Sequence, residues 1–161
     1  MQNRLFKKKT PKKWEFGKLP EVKWLASNKT KFDMVLICKL ILTQILKIDD
    51  VSIMVVTDDN FCKRFDTEDI EIKAILQGYP VLKKYILYLK SDISNYELLS
   101  VICHEMVHLS QYNSGKLKLE GTTFKWEGKS YNHVSYWERP WEKEAKEKQY
   151  DIEKQVRKLY E

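Results

Sequence analysis

Residues Ser94–Gly115, SNYELLSVICHEMVHLSQYNSG, decide how this chain folds. Ser94 with Glu97 three residues on reads as a capping box, and Ser114-Gly115 reads as a stop, so the stretch predicts a helix to about Asn113. Leu98, Leu99, Ile102, Met106 and Leu109 anchor it. In its middle stands His104-Glu105-Met106-Val107-His108, an HExxH motif. Positions i and i+4 lie one above the other on a helix face, so both imidazoles can grip one metal ion. Glu105 is rotated about 100° from His104. It sits beside such a metal, where a carboxylate can take a proton from water. Two of the chain's three histidines fall in this motif. Cys103 abuts His104 but faces elsewhere and reads as buried beneath the helix. Gln111 lies two turns beyond His104 on the same face, where it can orient a ligand or line a cleft.

A catalytic zinc site has three protein ligands and an open position, so the third ligand must come from outside the motif. His133 is the remaining histidine, and Glu120, Glu127, Glu138, Glu142 and Glu144 are among the downstream carboxylates. Pro140 suits the first turn of a final helix, in which Trp141, Ala145, Ile152, Val156 and Leu159 form a buried stripe. Glu142 and Glu144 flank this stripe on opposite sides, so helical period does not choose between them, whereas Glu147 points away. Tyr131, His133, Tyr136 and Arg139 offer transition-state donors or cleft walls. Trp126, Trp137 and Trp141 read as packing residues.

Working outward, Thr30–Asp33 reads as a capping box for a helix to about Lys47. Its polar residues Lys39, Thr43 and Lys47 recur every four positions, which predicts a mostly buried helix with one wet edge. Val51–Thr57 is β-branched and short, a strand, and Thr57–Asn60 is a turn. Asp69–Leu76 alternates as a half-buried strand, Gly78-Tyr79-Pro80 turns the chain, and Lys84–Leu89 returns as an antiparallel partner. Trp14–Trp24 is apolar enough to dock but shows no clear period. Lys116–Tyr131 has no helical period, and Trp126-Glu127-Gly128-Lys129 suggests a hairpin turn. The expected fold is α+β: a small domain with a short, mainly antiparallel sheet packed on the HExxH helix. An N-terminal buried helix and a C-terminal helix flank it.

The chain has 161 residues, with 29 Lys plus Arg against 23 Asp plus Glu. Six of the bases, Arg4, Lys7, Lys8, Lys9, Lys12 and Lys13, lie in residues 1–13, which hold no acid. Removing these six from 29 leaves 23 bases against 23 acids, so residues 14–161 are formally neutral. This excludes a globally cationic, histone-like protein. It predicts a flexible basic arm over residues 1–13 and one domain over 14–161. The arm's Lys7, Lys8, Lys9, Lys12 and Lys13 could give salt-dependent, sequence-blind phosphate affinity. Cys38, Cys62 and Cys103 are an odd number without CxxC spacing, read as buried reduced thiols. The longest apolar run, Met34–Leu46, is too short to span a bilayer and contains Lys39. No apolar segment follows the basic N-terminus as a secretion signal requires. A cytoplasmic protein without a membrane partner is expected.

HEMVHLSQ at 104–111, then Gly115, then FKWEGKSY at 124–131 and YWERPWEKEA at 136–145 together resemble the small zincin-type HExxH metallopeptidases. The resemblance is SprT-like and gluzincin-like in flavour, of the kind encoded by many bacteriophages, and covers roughly residues 94–150. It implies a zinc-dependent peptidase acting on a protein or peptide, in the host cytoplasm if viral. His104 and His108 would hold Zn²⁺, with Glu105 as general base. In the gluzincin pattern a helix after the motif supplies a Glu, which favours Glu144 in WEKEA. SprT-like proteins instead use a third His in an HGxxF segment. This chain has Glu120-Gly121-Thr122-Thr123-Phe124 there, which keeps Glu120 as a ligand candidate beside Glu142 and His133. SprT-like proteases act on DNA-bound substrates, so the resemblance would give the arm a role in targeting; read by itself the arm is a solubilising tail. The alternative is a non-catalytic, metal-containing binding module, nucleic-acid-associated through its arm, with a closed four-ligand site.

Overall fold

The computed structural model describes residues 20–30, 32–132 and 134–160. The basic arm and His133 lie outside the described residues. Four strands form the main sheet: β1 (Glu21–Trp24), β2 (Ser52–Thr57), β3 (Ala74–Tyr79) and β4 (Lys84–Leu89). Their spatial order is β1-β2-β4-β3. β1 runs parallel to β2 and β2 parallel to β4, and only the edge strand β3 is antiparallel to its neighbour. The sheet is therefore mixed, which corrects the expectation of a mainly antiparallel one. Parallel neighbours need a crossover rather than a tight turn. Between β1 and β2 that crossover is the helix α1 (Met34–Leu40), prolonged by a π-helical turn over Ile41–Ile45.

The α1 helix starts later than its sequence suggests. Asp33 is the cap, its carboxylate accepting from the Leu36 amide at 3.1 Å, whereas Thr30 Oγ1 accepts from the Phe32 amide just outside. The helix is mostly buried as expected, and the chain leaves it at Lys47 with a positive φ of 59°. A short helix α2 (Asp59–Lys63) replaces the expected turn, because Asp58 caps it through the Phe61 amide at 2.9 Å. The hairpin of β3 with β4 forms as expected, but β3 begins at Ala74, not Asp69. Local bonding captures residues 66–73 instead. The Asp66 carboxylate accepts from the Ile72 amide at 2.7 Å, and the Thr67 amide donates to the Ile70 carbonyl at 2.9 Å. Side chains that bond nearby backbone in this way compete with strand pairing. Lys90, 5% exposed, ties this loop to the sheet through Asp66 at 3.4 Å and Glu71 at 3.3 Å.

The registered rows Val22–Ile53–Tyr85 and Trp24–Val55–Leu87–Leu76 share one face of the sheet. They enter one core with Ile37 and Ile41 from α1, and with residues of two long helices, α3 (Asn95–Ser114) and α4 (Pro140–Tyr160). α3 has the predicted ends. The Ser94 hydroxyl accepts from the Glu97 amide at 3.1 Å, and Gly115 closes the helix with φ 79°. Its Leu98, Leu99, Ile102, Met106 and Leu109 are at most 1% exposed. Each such side chain gains about 1.5–3 kcal/mol from burial, so the motif stands on a firmly anchored element.

Between the two long helices a second sheet forms from β5 (Leu117–Glu120), β6 (Thr123–Trp126) and β7 (Lys129–Tyr131). Glu127 and Gly128, both with positive φ, make the predicted turn. Leu117 and Trp126 pack on Trp141 in a separate small core, with Phe124 and Tyr131 against it. That packing fixes the first turn of α4. Trp137, by contrast, is 60% exposed. Cys38, Cys62 and Cys103 are free and buried as expected. Among the described residues no helix is long and apolar enough to cross a membrane.

Candidate metal centre

α3 and α4 lie side by side in opposite directions, as their polar contacts show. Ser100 Oγ donates to Glu153 Oε2 at 2.8 Å, His104 Nδ1 meets Gln149 Oε1 at 2.9 Å, and Gln111 Nε2 donates to the Trp141 carbonyl at 3.0 Å. Ascending numbers on α3 meet descending numbers on α4. The motif's imidazoles therefore face the first turns of α4.

Glu142 occupies the space between the imidazoles. Its Oε2 lies 3.0 Å from His104 Nε2 and its Oε1 lies 2.9 Å from His108 Nε2. Glu144, the candidate that the resemblance favours, is not the acid seated there. Glu144 projects from the other side of the stripe, where it meets Lys116 Nζ and accepts from Gln111 Nε2 at 3.2 Å. Period alone left both acids flanking the buried stripe; the antiparallel seating of α4 on α3 turns the Glu142 side towards the histidines. Glu120 is remote in a different sense: it is exposed on β5 and paired with Lys125 at 2.9 Å. Glu105 joins the histidines, and the three offer donor atoms that all lie within 4.8 Å of one another. Glu105 and His108 are each 7% exposed.

The tautomer of His108 follows from its neighbours. The Gln111 amide nitrogen faces two groups that can only accept, the Trp141 carbonyl and the Glu144 carboxylate. Its amide oxygen must then face His108 Nδ1, 2.8 Å away, and Nδ1 must carry the proton. Nε2 is left for Glu142 or for a metal. Gln149 stands in the same relation to His104 Nδ1. Holding the far nitrogen of a ligating histidine is how such rings are oriented for a metal. Two imidazole nitrogens and one carboxylate are a donor set that suits zinc, so the residues present fit that ion.

Burial works against charge on His108, but the Glu142 carboxylate's charge and hydrogen bond outweigh it and push the imidazole up to about 9. Burial likewise opposes charge on Glu142, yet His108 and His104 hold its carboxyl well below the usual range. Without a metal the pair is an imidazolium and a carboxylate. Burial raises the Glu105 carboxyl, with the two histidines opposing. A raised carboxylate is a better proton acceptor at neutral pH.

The Tyr136 hydroxyl donates to Glu142 Oε2 at 2.7 Å, so one of the expected cleft residues does reach the cluster. Burial raises its pKa and keeps it a donor. Gln111 reaches it through His108. The Tyr131 and Arg139 side chains make no hydrogen bond or ion pair to it among the described residues, although the Arg139 carbonyl accepts from the Glu142 amide at 3.1 Å. Tyr131 packs edge-on against Trp141 with centroids 5.7 Å apart, and the Arg139 guanidinium sits 5.5 Å from the Tyr136 ring centroid. Gln149 and Lys116 escaped the sequence reading. Gln149 could have been found, because it lies two turns after Glu142 on one helix face. Lys116 carried no signal, since its meeting with Glu144 depends on how the small sheet docks.

A cleft of about 700 Å³ leads to Glu105, His108 and Glu142. Its lining includes Phe61, Phe65 and Ile72, residues of the edge strand β3, and Leu119, Phe124 and Tyr136. Compared with protein-family models, with curated proteins and with solved structures, the chain matches none.

Proposed function

We propose that this chain is a zinc-dependent peptidase. One observation carries the reading: two histidines of one helix and Glu142 of another converge beside a buried Glu105 at the end of an apolar cleft. His104, His108 and Glu142 would hold the ion. Zinc bound there would bring the pKa of water towards neutrality and polarise a carbonyl. Glu105 takes a proton from water as its oxygen bonds to the peptide carbonyl carbon. When the C–N bond breaks, Glu105 passes that proton to the departing amine. Tyr136 is the nearest hydroxyl donor for the oxygen that gains charge in between. Among the described residues the edge strand β3 has a partner on one side only, so an extended peptide in the cleft can pair with the other.

The test is Glu105→Gln. The variant should keep its zinc and lose turnover by at least about a hundredfold, the range of general acid–base catalysis. Unchanged cleavage of a substrate cut by the wild-type protein would refute the mechanism. Zinc retention with no hydrolysis of any unfolded protein by the wild type would favour a binding module instead.

A further inference from the structure

A second, more polar pocket of about 410 Å³ opens beside the cleft, lined by Thr122, Thr123, Tyr131, Asn132 and Arg139 among others. Arg139 lines both spaces. It is the one lysine or arginine among the described residues lining either. Among the described residues its guanidinium has no carboxylate within salt-bridge distance; its contact is the face of Tyr136, 5.5 Å to the centroid. Two lysines near the site differ in this. Lys116 meets Glu144 and Glu127, and Lys148 meets Glu144.

Arg139 also immediately precedes α4, whose first turn carries the partial positive charge of a helix N-terminus. The other polar side chains among the described residues lining the pocket are neutral: the hydroxyls of Thr122, Thr123 and Tyr131, and the Asn132 amide. A planar guanidinium held on an aromatic face, with unused donors and neutral hydrogen-bonding groups around it, matches a carboxylate. Its position sets where that carboxylate lies. Tyr136 links the two groups: its ring centroid lies 5.5 Å from the guanidinium and its hydroxyl bonds to Glu142 at 2.7 Å. An extended peptide advances about 3.3 Å per residue, so an anion at Arg139 lies within about three residues of the cluster.

We propose that the Arg139 pocket is an anion subsite, which makes this a site for peptides carrying a carboxylate within a few residues of the bond at the metal cluster. The carboxylate is an Asp or Glu side chain or the free C-terminus of the peptide. The inference rests on the peptidase reading for its substrate class, but its test does not require turnover.

The test uses full-length, zinc-loaded Glu105→Gln protein and fluorescent decapeptides. A single Glu is walked through a neutral sequence, and each peptide is paired with its Gln counterpart. A parallel pair differs only in a free or amidated C-terminus. Fluorescence anisotropy should show one or two Glu positions, or the free C-terminus, binding roughly 10-fold tighter than the neutral partner. Adding Arg139→Gln should abolish that difference, and Arg139→Lys should restore part of it. Equal binding of acidic and neutral peptides, absence of any peptide binding, or a preference that survives Arg139→Gln in a protein of unchanged melting temperature would overturn the proposal. Wild-type cleavage of the same peptides separates the two readings. Cleavage blind to the carboxylate removes the subsite and leaves the peptidase. Carboxylate-selective binding without cleavage removes the peptidase and leaves the subsite.

Discussion

The Gln149 amide oxygen lies 2.9 Å from His104 Nδ1, and it approaches from the same helix that presents Glu142 to the other ring nitrogen. α4 therefore both supplies a carboxylate and aims the ring opposite it. Gln149→Ala should weaken zinc binding about 10- to 100-fold, the usual cost of losing such a partner. Competition against a chelator of known affinity measures this. Gln149→Glu, which keeps an acceptor, should recover most of it.

Glu142 and Glu144 should separate cleanly. Purified Glu142→Ala should carry far less than the roughly one equivalent of zinc expected of a three-ligand site. Glu144→Ala should retain the metal, with affinity reduced by less than about 10-fold, because it acts on His108 only through Gln111 and the Trp141 carbonyl still holds that amide. Metal analysis of both proteins beside wild type decides the assignment.

The metal-free protein should respond to pH through His108. Its pKa is near 9 when folded, against 6.5 for an ordinary imidazole. A folded pKa raised above the unfolded one gives stability that is fully present below about 6.5 and is lost as pH rises through about 9. The melting temperature of chelator-treated protein should fall between pH 7 and pH 9.5. Zinc bound as proposed would displace the same proton, so loading at pH 7.5 should release it, and calorimetry in buffers of different ionisation enthalpy should detect the transfer.

Gly78→Ala should destabilise the cleft wall. A Cβ at Gly78 would stand 3.1 Å from Tyr85 Cε1, 3.2 Å from Tyr85 Cδ1 and 3.4 Å from Tyr112 Cγ. Tyr85 is 1% exposed and its hydroxyl donates to Asn113 Oδ1 at 3.2 Å, so the ring has little room to yield. Overpacking of this kind costs about 1–3 kcal/mol. Thermal or denaturant unfolding should show that loss, with zinc content unchanged.

The sequence by itself determined the elements whose signals are local. The Ser94 cap, the Gly115 stop and the i, i+4 spacing of His104 and His108 depend on residues within a few turns of each other, and the structure has them as read. The same is true of Val51–Thr57 to within one residue, of Lys84–Leu89, of the Glu127-Gly128 turn and of the buried stripe of α4. The tertiary structure alone decided what depends on distant contacts. β1 has no period of its own and is a strand because β2 offers it a parallel edge. Residues 69–73 alternate like a strand, but Asp66 and Lys90 hold them as a loop. Glu142 and Glu144 stand two positions apart on either side of one stripe, and periodicity treats them alike. The direction and register in which α4 lies on α3 break that symmetry, because one helix face can meet the two histidines while the other meets Lys116. Helical spacing is a property of one segment; which side of a helix becomes part of a site is a property of its neighbour.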